Sequence, residues 1–283
     1  MRNTETIRPR VERRPDPVFT EYSSANAVLR YTKKTAGCGI NYLLEHEYGD
    51  IYRAALHKYL SAPVGEGIRF LEFGCGGGMN LIHFLSILQR EEIPLGAAYG
   101  TDLSERLIEA ARAEMNGLAS EYGGKVNFLV ARNERLISDI TGTLNIPRRA
   151  VIGSFHLIVG VNTFRYCHRL GKEKNGAKDI YDLLMPGGVC VMIDYNRKFS
   201  AVRHLLRDRL AKPGPERHLP TLDEYGSAFS SAGFEILEKR NTCWIPHSAG
   251  PALLKIGITL TPLLNWLIPQ FAMRSLVISK KPI

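Results

Sequence analysis

The sequence predicts an α/β fold built on a doubly wound sheet of seven strands, and three observations predict it. Short apolar runs alternate with helix-like stretches from about residue 65 to the end, the rhythm of parallel strands joined by crossover helices. One of these runs leads straight into a glycine cluster and then a helix, as in a ligand-binding turn between strand and helix. The composition is ordinary for a globular chain, with 45% hydrophobic and 23% charged residues, and 283 residues can bury a substantial core without staples.

The chain opens with a basic stretch, 1–17, in which residues 8–17 hold four arginines and three prolines. That composition predicts a flexible arm, and the lack of an apolar core in it argues against a secretory signal. Residues 18–60 look helical, with Tyr22, Tyr31, Tyr42, Tyr48, Tyr52 and Tyr59 spread through them. They are expected to form a lid ahead of the main domain, 61–283, with one or more of Tyr22, Tyr31 and Tyr42 helping to close the site. Strands are expected at 68–73, 97–101, 126–130, 155–159, 189–193, 235–240 and 276–279. Helices are expected at 79–89, 105–122, 177–184 and 222–232, the last opened by the capping box Thr221 to Glu224 and stopped by Gly233. Two insertions remain. Residues 197–220, rich in Arg, His and Pro, read as a flexible substrate lid. Residues 248–274 are mostly apolar but hold Pro251, Pro262 and Pro269, so two short helices fit better than a spanning one.

Five scattered cysteines, Cys38, Cys75, Cys167, Cys190 and Cys243, form no C-x-x-C pair. No metal site is expected from them, and isolated thiols fit a reduced, cytoplasmic protein. The formal charge of +9 favours anionic partners but is equally the charge of a basic solvated surface. No nucleic-acid-binding signature accompanies it, so no nucleic-acid partner is expected.

The strongest signal is the run Phe70, Leu71, Glu72, Phe73, Gly74, Cys75, Gly76, Gly77, Gly78, Met79. Glycines there permit a tight turn and close approach of a ligand to the main chain, and the next helix offers unpaired N–H groups. The dinucleotide frame G-x-G-x-x-G fails, because the sixth residue is Met79 counted from Gly74 and Leu81 counted from Gly76. No phosphate-loop lysine follows. An acid two places before the glycines repels a pyrophosphate and suits a cationic ligand. The second signal, Asp102, closes the second strand 28 residues after Gly74, where a carboxylate can accept both hydroxyls of a ribose.

These two segments resemble motifs I and II of the class I S-adenosylmethionine-dependent methyltransferases, a Rossmann-like family. The resemblance extends as a fold from about residue 65 to the end. It implies S-adenosylmethionine as cofactor, and Glu72, Gly74, Cys75, Gly76, Gly78, Asp102, Leu103, Asn133 and Asn162 as its binding residues. The pattern departs after the third strand, where Arg132 stands in the family's acidic place. Asn133 is expected to take the adenine contact instead, with Arg132 over the ring face. His156 replaces the acid usual within strand four. Tyr166, His168 and Asp194 sit at the carboxyl ends of strands four and five, where a base or an orienting group would act. The alternatives are a merely satisfied histidine and a turn-capping aspartate.

No N-P-P-[FY] tetrapeptide and no pair of catalytic cysteines point to methylation of a nucleic-acid base. The expected function is methyl transfer to a small, lipophilic molecule, at oxygen, nitrogen or carbon. The rivals are an RNA or protein methyltransferase, which the basic arm favours, and a non-catalytic binding subunit of the same fold. The apolar segment 248–274 is expected to wall the acceptor pocket, against core packing, a homodimer face or peripheral membrane contact.

Overall fold

The computed structural model of the protein describes residues 37–117, 122, 124–201 and 219–283. The basic arm 1–17, Tyr22, Tyr31 and residues 202–218 of the first insertion lie outside the described residues.

The central strand β1, Ile68–Phe73, is almost wholly buried because helices cover both faces of the sheet. The remaining strands are β2 (Leu95–Asp102), β3 (Val126–Val130), β4 (Phe155–Val161), β5 (Leu184–Tyr195), β6 (Glu235–Thr242) and β7 (Arg274–Lys280). They form one sheet in the order β3-β2-β1-β4-β5-β7-β6. The first five run parallel, whereas β7 runs antiparallel to both neighbours, which the expectation of parallel strands did not include. The chain between β6 and β7 explains the reversal. Met273 N–H donates to the Cys243 carbonyl at 2.8 Å, so the excursion between them returns to its own starting point like a wide hairpin. Antiparallel neighbours need no crossover.

Helices α1 (Met79–Arg90) and α2 (Glu105–Asn116) cover one face, with Phe84, Ile87, Ile108 and Met115 in its core. A helical run of four short segments joins them: Cys38–Tyr42, Leu43–Tyr48, Gly49–Ala54 and Ala55–Tyr59. Helices α3 (Leu136–Leu144), α4 (Arg165–Arg169), α5 (Glu173–Leu183) and α6 (Leu222–Ser231) lie on the other face, around Ile140, Ile180 and Phe229. The capping box of α6 forms as expected. Glu224 N–H donates to Thr221 Oγ1 at 3.1 Å, and Thr221 N–H donates to Glu224 Oε2 at 2.6 Å.

The apolar insertion departs from expectation. It is one helix, α7, Pro251–Leu267, followed by a 3₁₀ turn at Pro269–Phe271. Pro251 occupies the first turn, where its missing donor costs nothing. Pro262 forgoes a main-chain bond within the helix, yet the helix continues past it. None of its residues is buried, and Leu253, Ile256, Leu263, Trp266 and Leu267 stand exposed. Among the described residues, no helix is long and apolar enough to cross a membrane.

Strand order reverses between β1 and β4, whose chains leave in opposite directions. The crevice outside their carboxyl ends is where ligands bind in sheets of this kind.

Candidate active site

A cavity of about 470 Å³ opens at that crevice, within the range of small-molecule sites. Its floor is the glycine loop after β1. Gly74 and Gly76 adopt positive φ angles of 64° and 55°, which side-chain-bearing residues avoid. A Cβ on Gly74 would lie 2.0 Å from Thr163 Oγ1, so the loop is pressed against the turn after β4. A Cβ on Gly76 or Gly77 would meet nothing within 4 Å, and both residues line the cavity. The main chain there is open to a ligand.

Asp102 lines the cavity at the end of β2. Its Oδ2 accepts from Gly76 N–H at 3.0 Å and its Oδ1 from Ser104 N–H at 2.9 Å. Burial pushes its carboxyl up, while these main-chain bonds oppose the rise. The N-cap of α2 is Ser104, whose Oγ accepts from Leu107 N–H at 3.4 Å. Capping therefore does not account for Asp102, which instead ties the glycine loop to the second strand.

Glu72 lies fully buried and does not line the cavity, contrary to a direct contact with the ligand. Burial raises its carboxyl to about 8. Its Oε1 accepts from Asn80 Nδ2 at 3.1 Å. Asn80 does line the cavity, and its Oδ1 is buried without a hydrogen-bond partner, as is Oε2 of Glu72. The acid thus orients an amide whose free acceptor suits an ammonium group. Sequence reasoning missed Asn80, because a polar residue in the first turn of a helix carries no signal of its own.

Cys75, Leu103, Asn133 and Asn162, expected to bind the cofactor, line the same cavity, whereas Gly78, expected with them, does not and instead caps α1. Asn162 holds a left-handed φ of 57°, uncommon outside glycine, and its buried Oδ1 has no partner. Asn133 Nδ2 donates to Thr163 Oγ1 at 2.6 Å. Arg132, expected over the adenine, instead pairs with Glu134 at 2.8 Å and does not line the cavity. His156 is structural: its Nδ1 accepts from Arg69 N–H at 3.0 Å and its Nε2 lies 3.0 Å from the Pro63 carbonyl, at the amino ends of β1 and β4. Unpartnered acceptors, open glycine backbone and the carboxylates of Asp102 and Glu114 in a single cavity fit a cationic nucleoside such as S-adenosylmethionine.

Beyond β4 the lining changes to arginines and tyrosines. Arg165 Nη1 donates to Asp194 Oδ1 at 2.9 Å, and Arg165 N–H donates to Oδ2 at 2.8 Å. Asp194 also accepts from Tyr195 N–H at 2.7 Å and has no solvent exposure. Asp194 thus holds the Arg165 side chain and also accepts the main-chain N–H groups of Arg165 and Tyr195. Tyr166 lines the cavity, and its hydroxyl accepts from Arg165 Nη2 at 2.9 Å. His168 does not line it. Its ring packs edge-on against Phe164 and Tyr225, at 5.5 and 5.3 Å. Of the three candidates, Tyr166 lines the cavity and Asp194 and His168 do not, Asp194 reaching it through Arg165. His247, which sequence reasoning passed over, lines the cavity.

The N-terminal helical run contributes Ile40, Leu43, Leu44 and Tyr48 to the lining. Tyr42, one of the three tyrosines of which at least one was expected there, does not line the cavity, and its ring lies 4.9 Å from that of His46. From the segment 248–274 only Arg274 reaches the cavity, so α7 is not its wall.

A sequence model described as a methyltransferase domain matches residues 44–239. The chain belongs to that methyltransferase-domain family. No match was found among curated proteins. The fold is shared with an S-adenosylmethionine-dependent methyltransferase from Mesorhizobium loti, at 18% identity and a TM-score of 0.53, covering 84% of this chain and 100% of that one. It is shared too with a methyltransferase in complex with the Haloferax volcanii Trm112 activator, at 15% identity and a TM-score of 0.56, covering 94% and 98%. A geranyl diphosphate methyltransferase, solved with GPP and sinefungin, is similar at 15% identity and a TM-score of 0.52, covering 82% and 77%. The methyltransferase described here takes S-adenosylmethionine as its methyl donor, and its cavity residues are suited to hold that donor.

Proposed function

We propose that this methyltransferase transfers the methyl group of S-adenosylmethionine to a small organic acceptor bound beneath the N-terminal helical run. One observation carries the reading. A single cavity joins the glycine loop and Asp102 to Arg165, Tyr166 and Tyr195, and Leu43, Leu44 and Tyr48 of the N-terminal run line it too. A cavity of about 470 Å³ suits a small molecule beside the cofactor. Apolar lining from Ile40, Ile82 and Val161 favours an acceptor with a hydrocarbon portion.

The bound cofactor supplies the electrophilic sulfonium methyl, and transfer is an in-line displacement. The chain's task is to orient the acceptor and exclude water. Asp102 and Asn133 would hold the nucleoside end, and Asn80 and Asn162 offer acceptors to the charged end. Asp194 holds Arg165, and Arg165 holds the Tyr166 hydroxyl toward the acceptor. Tyr48 is no base at neutral pH, because burial pushes its hydroxyl up to about 12. His247 is the candidate for proton removal, and His168 is not, given its packing.

The rival acceptor classes, RNA and protein, draw support from the similarity to a methyltransferase that binds the Trm112 activator. A dimer face or a membrane contact remains the reading for the exposed side chains of α7. The test uses S-adenosylmethionine labelled in its methyl group and a cell extract fractionated into metabolites, RNA and protein. Label is expected in the metabolite fraction. Label confined to RNA or protein would contradict the proposed acceptor class, and no transfer to any fraction would favour a binding subunit.

A further inference from the structure

Arg274 is the first residue of β7 and lines the cavity with only 7% of its surface exposed. Its Nε donates to Tyr48 Oη at a long 3.5 Å, and its guanidinium lies 4.2 Å from the centre of the Tyr195 ring. Among the described residues, no carboxylate lies within ion-pair distance of it. The contrast with Arg165 is direct, since that guanidinium lines the same cavity and has buried Asp194 as its counter-charge. A buried cation without a counter-ion is costly, and proteins seldom keep one without a partner. The planar fork of arginine leaves donors that match two oxygens of one anion.

The position of Arg274 separates this feature from the cofactor. The glycine loop follows β1, and Asp102 closes β2 on one side of it. Arg274 lies on the other side, three strands from β1 through β4 and β5. At about 4.8 Å between neighbouring strands that is roughly 14 Å. The cavity continues between the two places, so a second molecule beside the cofactor would reach Arg274 first.

We propose that the acceptor carries an anionic group, a carboxylate or a phosphate, that docks on Arg274 between Tyr48 and Tyr195. This inference rests on the small-acceptor reading above and narrows it to amphiphilic anions. Tyr195 has a second guanidinium, that of Arg165, 4.8 Å from its ring centre, but Asp194 already neutralises it, so Arg274 is the cation left to meet the anion. The apolar residues Ile40, Leu43 and Ile82 line the same cavity and would hold the hydrocarbon part.

The test is calorimetric titration of the full chain, saturated with S-adenosylhomocysteine, using octanoate, octyl phosphate and octanol as probes. Octanoate or octyl phosphate is expected to bind at least about tenfold more tightly than octanol, and whichever is the tighter names the anion. R274Q should abolish most of that preference, R274K should retain part of it, and affinity for S-adenosylhomocysteine should change by less than about twofold. Equal binding of octanol and both anions by the unaltered protein would overturn the proposal even if the variants fail to fold. A loss of S-adenosylhomocysteine affinity in R274Q, with the anion preference kept, would also overturn it, by assigning Arg274 to the cofactor's own carboxylate. Failure of the unaltered protein to bind S-adenosylhomocysteine at all would strike the methyl-transfer reading instead.

Discussion

Glu72→Gln is expected to stabilise the cofactor-free protein at pH 7 by roughly 3 kcal/mol and to leave it unchanged near pH 4.5. The carboxyl of Glu72 is wholly buried, and burial raises it from 4.5 to about 8. The folded state therefore keeps a proton that the unfolded chain releases. Between those two values the folded state binds more protons, so stability falls as pH rises, and the loss is complete above about 8. An amide accepts the Asn80 bond as the acid does, and it carries no charge to strand. Urea denaturation from pH 4.5 to 9 measures the difference between the two proteins. Parallel stability profiles would show that the buried acid has a partner that offsets its burial.

Asp194→Ala is expected to cost about 3–5 kcal/mol, because it leaves the Arg165 guanidinium buried without its counter-charge. The two side chains are 11% and 0% exposed, so solvent screens little of the loss. Three main-chain and side-chain donors, Arg165 N–H, Arg165 Nη1 and Tyr195 N–H, would lose their acceptor together. Asp194→Asn keeps an acceptor but not the charge, and its cost should fall between that of the alanine variant and zero. Chemical denaturation of both variants measures these costs. Unchanged stability in Asp194→Asn combined with lost turnover would mark Asp194 as a base rather than the residue that holds Arg165.

The glycine-loop half of the candidate site was legible in the sequence because its pattern is local. A strand, three positive-φ glycines and a helix follow one another within Ile68–Phe73 and the residues to Met79, and the acid closing β2 lies one strand away. The acceptor half was not, because it is assembled from distant places. Arg274 is a single cation at the start of an apolar strand, and only the sheet order brings it beside Tyr195. His168 carried the right residue type at the right place after β4, but the short helix α4 turns it away, onto Phe164 and Tyr225. The direction of β7 was illegible for a similar reason. Its residues are buried whichever way it runs, and the return of the chain from Met273 to Cys243 decides the matter. Helix α3 escaped notice because its β-branched residues and Gly142 dilute the helical pattern. Residues 248–274 read correctly as apolar, but apolar composition does not say which surface a helix faces. It does not line the cavity, and it rests on the buried Ile245 through Gly257 while its own apolar side chains stay exposed.

The central claim is that the cofactor sits on the Gly74 to Gly78 loop with Asp102 at its ribose. Calorimetric titration of S-adenosylhomocysteine into the unaltered protein and into Asp102→Ala tests it most directly. Loss of hydrogen bonds from a charged acceptor corresponds to about 1.5–3 kcal/mol, so the variant should bind between about tenfold and about 150-fold more weakly. Equal affinity in the two proteins would remove Asp102 from the site and contradict the placement of the cofactor.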